Sequence, residues 1–414
     1  MQKQKIMAFV MAGGEGTRLY PLTKTRSKPS VPFGGRYRLV DFVLSNLVNS
    51  EIYGIYLLVQ YKSQALIEHV RKTWLLSPIL PQHFVTIVPP QMLHGASWFQ
   101  GTADAVHQNI NLIEQFGPDI VAVFGADHVY RMDIRQMVNF HTERQAEVTI
   151  AALPVPIGEA SSFGVIAADA DGRIRDFQEK PSRPAAMPGD SEHAYASMGN
   201  YLFSTNVLLD ALREAHQRGE SDFGKHVLPR LLHSQRAMYA YNFATNVVPG
   251  IKAYEENGYW RDLGTIDSYY AAHQDVLGVR PRLDVFNPQW PIHSSNYQGT
   301  VAKIIHGQIS NSILAGGTVV SGAEIKNSVV RREVVFEEDV SVEDCIIMDY
   351  VRIQRGARLR RVIVDRYNVI EANARIGYDL SADRQRYHVA PSGIVVVPEG
   401  KRAEHAYSFI DEHS

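Results

Sequence analysis

The pattern of apolar and polar positions changes character along the 414-residue chain. In the first two-thirds, short continuous apolar runs alternate with stretches whose apolar residues recur every three or four positions. The runs at residues 6–11, 55–59 and 120–124 predict strands buried on both faces, and therefore parallel. Residues 40–47 and 103–116 show the helical spacing; in the second, Val106, Ile110 and Ile113 form the stripe by which a helix covers a sheet face. From Val148 the runs crowd together, at 149–153, 165–167 and 173–177, which predicts an antiparallel addition and a mixed sheet. The first part therefore reads as an α/β layered domain of Rossmann-like type, assigned to residues 1–279.

Pro281, Pro288 and Pro291 interrupt this pattern, and residues 280–296 are read as a linker. Beyond it the period becomes six. Ile313, Val319 and Ile325 are six apart, as are Val334, Val340 and Ile346, then Ile353 with Leu359 and Ile363 with Val369. Gly317, Ala323, Ala357 and Ala374 each stand two places before an apolar residue. Such hexapeptides stack as turns of a left-handed parallel β-helix, with the apolar residue expected in the shared core and the small one at a corner. This assigns residues 297–414 to a second domain.

Composition narrows the classes of function. Lys plus Arg number 42 and Asp plus Glu 44, a formal charge of −2, so no global field favours nucleic acid or an acidic membrane. Cys345 is the single cysteine, so an intrachain disulfide is excluded. The beginning of the chain resembles neither a signal peptide nor a transit peptide. No apolar run reaches the roughly 20 residues of a membrane span. The expectation is a cytoplasmic protein.

The chemistry begins where the first strand opens into Gly13-Gly14-Glu15-Gly16-Thr17-Arg18-Leu19, glycines that let backbone N–H groups approach a phosphate or a base. The loop is not a Walker A sequence, and Leu19 fills the third glycine position of a dinucleotide fingerprint. Arg18, Lys24, Arg26 and Lys28 follow at once, cations that suit a triphosphate. Asp127 and Asp262 end strand-like segments, positions from which two carboxylates can converge on a hard cation or cap a neighbouring helix.

The loop, followed by Lys28-Pro29, resembles that of the sugar-nucleotide pyrophosphorylases. Further segments resemble the ADP-glucose branch of that family: 33–46, Trp98-Phe99-Gln100-Gly101-Thr102, Gly125-Ala126-Asp127-His128, 177–181, 197–201, Ser221-Asp222-Phe223-Gly224 and 259–265. The resemblance covers nearly the whole chain. It implies transfer of an adenylyl group from ATP to glucose 1-phosphate, forming ADP-glucose and pyrophosphate at the first committed step of glucan synthesis. The nucleophile is a phosphate whose second pKa of about 6 leaves it largely ionised at neutral pH, so no general base is needed. The site must instead position the reactants and neutralise a crowded polyanion.

By the same resemblance, Arg18, Lys28 and Asp127 carry catalysis, and Gly13, Gly14, Gln100 and Gly101 surround the nucleotide. Glu179, Lys180 and Ser197 bind glucose 1-phosphate, and Asp127 with Asp262 hold Mg²⁺. His128 is read as structural. The resemblance also implies a homotetramer regulated by anionic metabolites. Arg352, Arg355, Arg358, Arg360, Arg361 and Arg366 crowd one segment; they are either a regulatory face or a solvated one paired with Glu337, Glu338 and Asp339. Arg26, Arg38 and Arg360 are the candidate effector ligands. Thr25 and Pro32 stand where members activated by fructose 1,6-bisphosphate carry Lys and His, and Gly125-Ala126 replaces the usual Ala-Gly. The competing readings are a UDP- or dTDP-sugar enzyme, a bifunctional acetyltransferase, and a non-catalytic regulatory subunit.

Overall fold

The computed structural model describes residues 4–77, 80, 82–92 and 98–402; the expected repeat domain's last residues, 403–414, lie outside these. Among the described residues, no helix is long and apolar enough to cross a membrane.

The N-terminal part centres on a nine-stranded mixed sheet. Its parallel half contains β1 (Ile6–Ala12), β2 (Gly54–Val59), β3 (Phe84–Val88) and β4 (Ile120–Gly125), side by side as β3-β2-β1-β4. The antiparallel addition begins where β9 (His193–Ser204) pairs with β4, and it continues through β6 (Val148–Pro156), β7 (Gly164–Ala168) and β8 (Ile174–Glu179). Both faces are covered, and β1 shows why its sequence is uniformly apolar. Met7 and Phe9 pack with Val106, Ile113, Leu208 and Leu212 on one side. Ala8 and Val10 pack with Val43, Leu47, Leu66 and Met137 on the other. In the 3-2-1-4 order the chain leaves β1 in one direction and returns to its other side at β4. The crevice beyond the C-terminal ends of those two strands is where such sheets bind ligands.

The helix expected over 103–116 is two helices, Thr102–His107 and Ile110–Phe116. Asn109 breaks it: its side-chain amide donates to the Ala105 carbonyl at 2.8 Å. Such a local bond competes with the helical ladder.

Residues 280–296 contain no regular helix or strand, yet they are packed down. Leu283, Val285 and Trp290 are buried, the His293 N–H donates to Ser45 Oγ at 2.8 Å, and the Ser294 hydroxyl donates to Asp41 Oδ2 at 2.7 Å.

The C-terminal part is the parallel β-helix that the six-residue period predicts. Val335, Arg352 and Val369 stack in register on successive turns, as do Val329, Ile346 and Ile363. Each of these turns falls just short of three full hexapeptides, and this corrects the expected phase. Ile325, Val334, Val340, Ile353 and Leu359 do face the β-helix core. At the other positions the inward residues are Leu314, Val320, Ile347, Val364 and Ile370, not Ile313, Val319, Ile346, Ile363 and Val369. Ile346 and Ile363 remain fully buried because that wall is apolar on both sides. Its outer side, with Val329, Met348 and Val396, shares a core with Leu19, Leu22, Val31, Phe33 and Tyr269 of the N-terminal part. The two domains are thus joined by a hydrophobic core. At its edge Arg26 forms a buried ion pair with Asp365 of the β-helix.

Candidate active site

A cavity of about 630 Å³ opens at the ends of β1 and β4, lined by Gly13, Gly14, Arg18, Lys28, Gln100, Gly101, Asp127, Glu179 and Ser197 among others. These come from six separate stretches of sequence, and the local contacts explain how they are held.

The glycine loop is pinned to the Lys28 segment. Gly16 has a left-handed φ of 64°. A Cβ there would stand 2.8 Å from Lys28 Cβ, so both conformation and space demand glycine. The Thr23 hydroxyl donates to the Gly16 carbonyl at 2.9 Å. Opposite, the Gln60 side chain grips the backbone of Phe99 twice: its amide donates to the Phe99 carbonyl at 3.2 Å, and its oxygen accepts the Phe99 N–H at 2.6 Å. The following loop is locked from the far side. A Cβ on Gly101 would lie 2.4 Å from the Ser221 carbonyl oxygen, which accepts the N–H groups of Ala103 and Asp104. Asp222 accepts the Thr102 hydroxyl at 3.2 Å. The segments Trp98–Thr102 and Ser221–Gly224, remote in sequence, form one wall.

The charged centre is built on β5 (His128–Tyr130) and its antiparallel partner Trp260–Asp262, whose register sets Asp262 opposite His128. Lys28 Nζ lies 2.9 Å from Asp127 Oδ2 and 2.9 Å from Asp262 Oδ1. Burial works against the ammonium, but the two carboxylates hold its pKa above the usual lysine value. Burial likewise opposes ionisation of Asp127, and the charges of His128 and Lys28 overcome it, holding the carboxyl well below its ordinary range. Gly264 leaves room for two neighbours: a Cβ would stand 3.1 Å from Arg18 Nη2 and 3.2 Å from Asp262 Oδ2.

The centre fits a divalent cation. Asp127, His128 and Asp262 present ligand atoms within 4.8 Å of one another. Asp127 and Asp262 supply carboxylate oxygens, the donors that hard cations prefer.

The nucleotidyl transferase family pattern matches residues 7–278, and that described as GlmU-like, C-terminal hexapeptide matches 300–397. A glucose-1-phosphate adenylyltransferase of Thermodesulfovibrio yellowstonii is 56% identical over 398 residues, 96% of this chain and 97% of its own. Proteins of the same name from Anaeromyxobacter sp. and Thermus thermophilus are 45% and 46% identical, each over 97% of this chain and at least 99% of their own. The chain belongs to the nucleotidyl transferase family, among the glucose-1-phosphate adenylyltransferases. The similarity runs along nearly the whole length of both chains in each case, and nucleotidyltransferases of this kind generally use a divalent metal.

Within this family member, most residues singled out in the sequence meet at the cavity, and several do not. Lys180 stands at the rim with a left-handed φ of 49°, its side chain 65% exposed and 3.8 Å from Glu179. Asp262 is reached through Lys28 rather than lining the cavity itself. Arg26 is beyond the reach of a dissolved anion: both it and Asp365 are only 1% exposed, and its Nε donates to the Leu22 carbonyl at 2.9 Å. Arg38 is half-buried and donates to the Ser30 carbonyl at 3.0 Å. Burial and the charges of Arg331 and Arg26 push its pKa down to about 10. Arg360 is exposed, 3.5 Å from Glu343.

The arginine-rich segment is largely paired, Arg352 with Glu337, Arg355 with Glu338 and Asp339, and Arg366 with Glu399. The pairs of Arg355 match the solvated alternative raised by the sequence, whereas Arg352 is buried and Arg366 pairs with Glu399, which that alternative did not include. Gln60 and Thr102 escaped the sequence reading as functional residues, while His128, read there as structural, presents a ring nitrogen to the two carboxylates. His128 adjoins Asp127 in the motif itself, whereas the Gln60 grip is a long-range contact with no local signal.

Proposed function

We propose that this chain joins ATP and glucose 1-phosphate into ADP-glucose, releasing pyrophosphate, with Mg²⁺ as the divalent ion. The observation that carries the reading is the convergence of Lys28, Asp127 and Asp262 beside the glycine loop, at the sheet's switch point. An oxygen of the sugar phosphate attacks the α-phosphorus of ATP. The new O–P bond forms as the bond from the α-phosphorus to the bridging oxygen breaks, and that oxygen leaves with pyrophosphate. The attacking oxygen is already ionised, so no side chain has to remove a proton.

Arg18 and Lys28 meet the negative charge of the triphosphate and of the departing pyrophosphate. Asp127 and Asp262 are the residues that would hold Mg²⁺, which when bound supplies charge neutralisation at the phosphates. Gly13, Gly14, Gln100 and Gly101 pass the nucleotide close to backbone; Glu179, Lys180 and Ser197 receive the sugar phosphate. Lys180, exposed at the rim, is free to swing toward that phosphate. The retained set of Arg18, Lys28, Asp127, Lys180 and Asp262 favours a catalytic subunit over a regulatory one.

The chain acts as a cytoplasmic homotetramer, and anionic metabolites tune it at the seam between the domains. Arg38 and Arg360 are its anion ligands. The depressed pKa of Arg38 supports this, because a guanidinium crowded by two others gains from a nearby anion. Initial rates with ATP, UTP and dTTP crossed against several sugar 1-phosphates test the reaction. Fastest turnover with ATP and glucose 1-phosphate supports it; preference for UTP or dTTP contradicts it.

A further inference from the structure

A second cluster of metal-binding side chains lies outside the charged centre. Asp104 and His107 stand three residues apart in the helix Thr102–His107, which puts them on one face. His216 reaches the same place from the end of a separate helix, Thr205–Gln217, that packs against the first. The two imidazoles stack with centroids 4.1 Å apart and planes 13° from parallel. Asp104, His107 and His216 bring one ligand atom each within 4.8 Å of the others.

The carboxylate is held in place before any ion arrives. Asp104 Oδ2 accepts the Gln100 N–H at 2.8 Å and the Gln108 side-chain amide at 2.8 Å. His107 is half-buried, while His216 is exposed and able to turn. A tetrahedral zinc site needs donor atoms about 3.3 Å apart, given bonds of about 2.0 Å. From the stacked arrangement, rotation of the exposed His216 ring would bring the donors to that spacing, with solvent as the fourth ligand.

We propose that Asp104, His107 and His216 form a binding site for a borderline transition-metal ion of the zinc class. Two imidazoles and one carboxylate suit zinc, nickel or copper, whereas magnesium takes oxygen donors. The site is therefore distinct in its chemistry from the paired carboxylates at Asp127 and Asp262. It stands whether or not the proposed reaction is correct, because its test reads metal binding alone.

The full-length protein, stripped of metal and then held in excess Mg²⁺ to occupy the carboxylate centre, is titrated with Zn²⁺ by calorimetry. Co²⁺ is used in parallel for its visible absorption. The expected result is one tight equivalent of Zn²⁺, weakened about tenfold or more in His216→Ala and in His107→Gln. His216 is exposed, so its variant should melt like the wild type. A wild type with no Zn²⁺ site under Mg²⁺, or a folded His216→Ala variant that binds Zn²⁺ as tightly as wild type, overturns the proposal.

Discussion

Arg26 and Asp365, 339 residues apart, form an ion pair across the domain seam with each side chain only 1% exposed. Burial alone would lower the arginine's pKa, but Asp365 more than offsets this and raises it. Removing one partner strands a buried charge, which costs about 3–5 kcal/mol. Asp365→Ala should therefore lower the denaturation midpoint far more than a surface substitution such as Glu338→Ala. Equal midpoints would show that the pair does not hold the domains together.

Gly101 tests how closely the wall proposed to face the nucleotide is specified. Gly101→Ala drives a Cβ into the Ser221 carbonyl, a backbone atom that cannot swing aside. The loop carrying Gln100 must shift, and a displacement of about 1 Å at a positioning element costs about 10²-fold. The expected outcome is a kcat/KM for ATP reduced to that extent, with near-wild-type melting, since the loop lies at the surface of the cavity. Unchanged kinetics would remove this loop from the nucleotide site.

The parts of the fold that repeat a local rule were legible in the sequence. β1, β2 and β4 appear as apolar runs because both their faces are buried, and the β-helix appears as a six-residue period. The phase of that period was not legible. The short face of each turn shifts the inward position by one, and Ile346 and Ile363 satisfy the same hydrophobic rule by burying against the other domain. The break at Asn109 was missed for a related reason: a side chain bonding back to Ala105 leaves the apolar spacing intact. At the site, the glycine loop and its cations could be read locally. That Gly16 touches Lys28, or that Gln60 grips Phe99, depends on tertiary approach and leaves no local trace.

Two buried histidines contribute to the loss of stability in acid. The His273 Nδ1–H donates to the Tyr269 carbonyl at 2.9 Å, and its Nε2 accepts the Gly34 N–H at 3.2 Å, so a second proton would break the latter bond. Burial pushes its pKa down from the ordinary 6.5 to about 3, and burial pushes His141 down to about 4. Because the folded values lie below the unfolded one, this stability is complete above about pH 6.5 and is lost as pH falls toward 3. Urea midpoints should drop between pH 7.5 and pH 5, and the drop should shrink in His273→Gln. The same drop in that variant would exclude His273 as a source.

Anion regulation predicts a response of the wild type to at least one of fructose phosphates, 3-phosphoglycerate, pyruvate, AMP and phosphate. Arg38→Ala or Arg360→Ala should blunt that response while leaving the basal rate intact. Indifference of the wild type to all of them contradicts regulation, and full responses in both variants contradict these ligands.

The most direct test of the central claim is pyrophosphate release from ATP and glucose 1-phosphate, measured against Mg²⁺ concentration for wild type and Asp127→Asn. An amide keeps the shape but is a weaker ligand, and it weakens the contact with Lys28. The expected result is a kcat lowered by about 10²-fold or more, with half-saturation at higher Mg²⁺ and preserved cooperative melting. A variant with wild-type turnover and wild-type Mg²⁺ dependence would contradict the assignment of Asp127 to the metal and of this centre to adenylyl transfer.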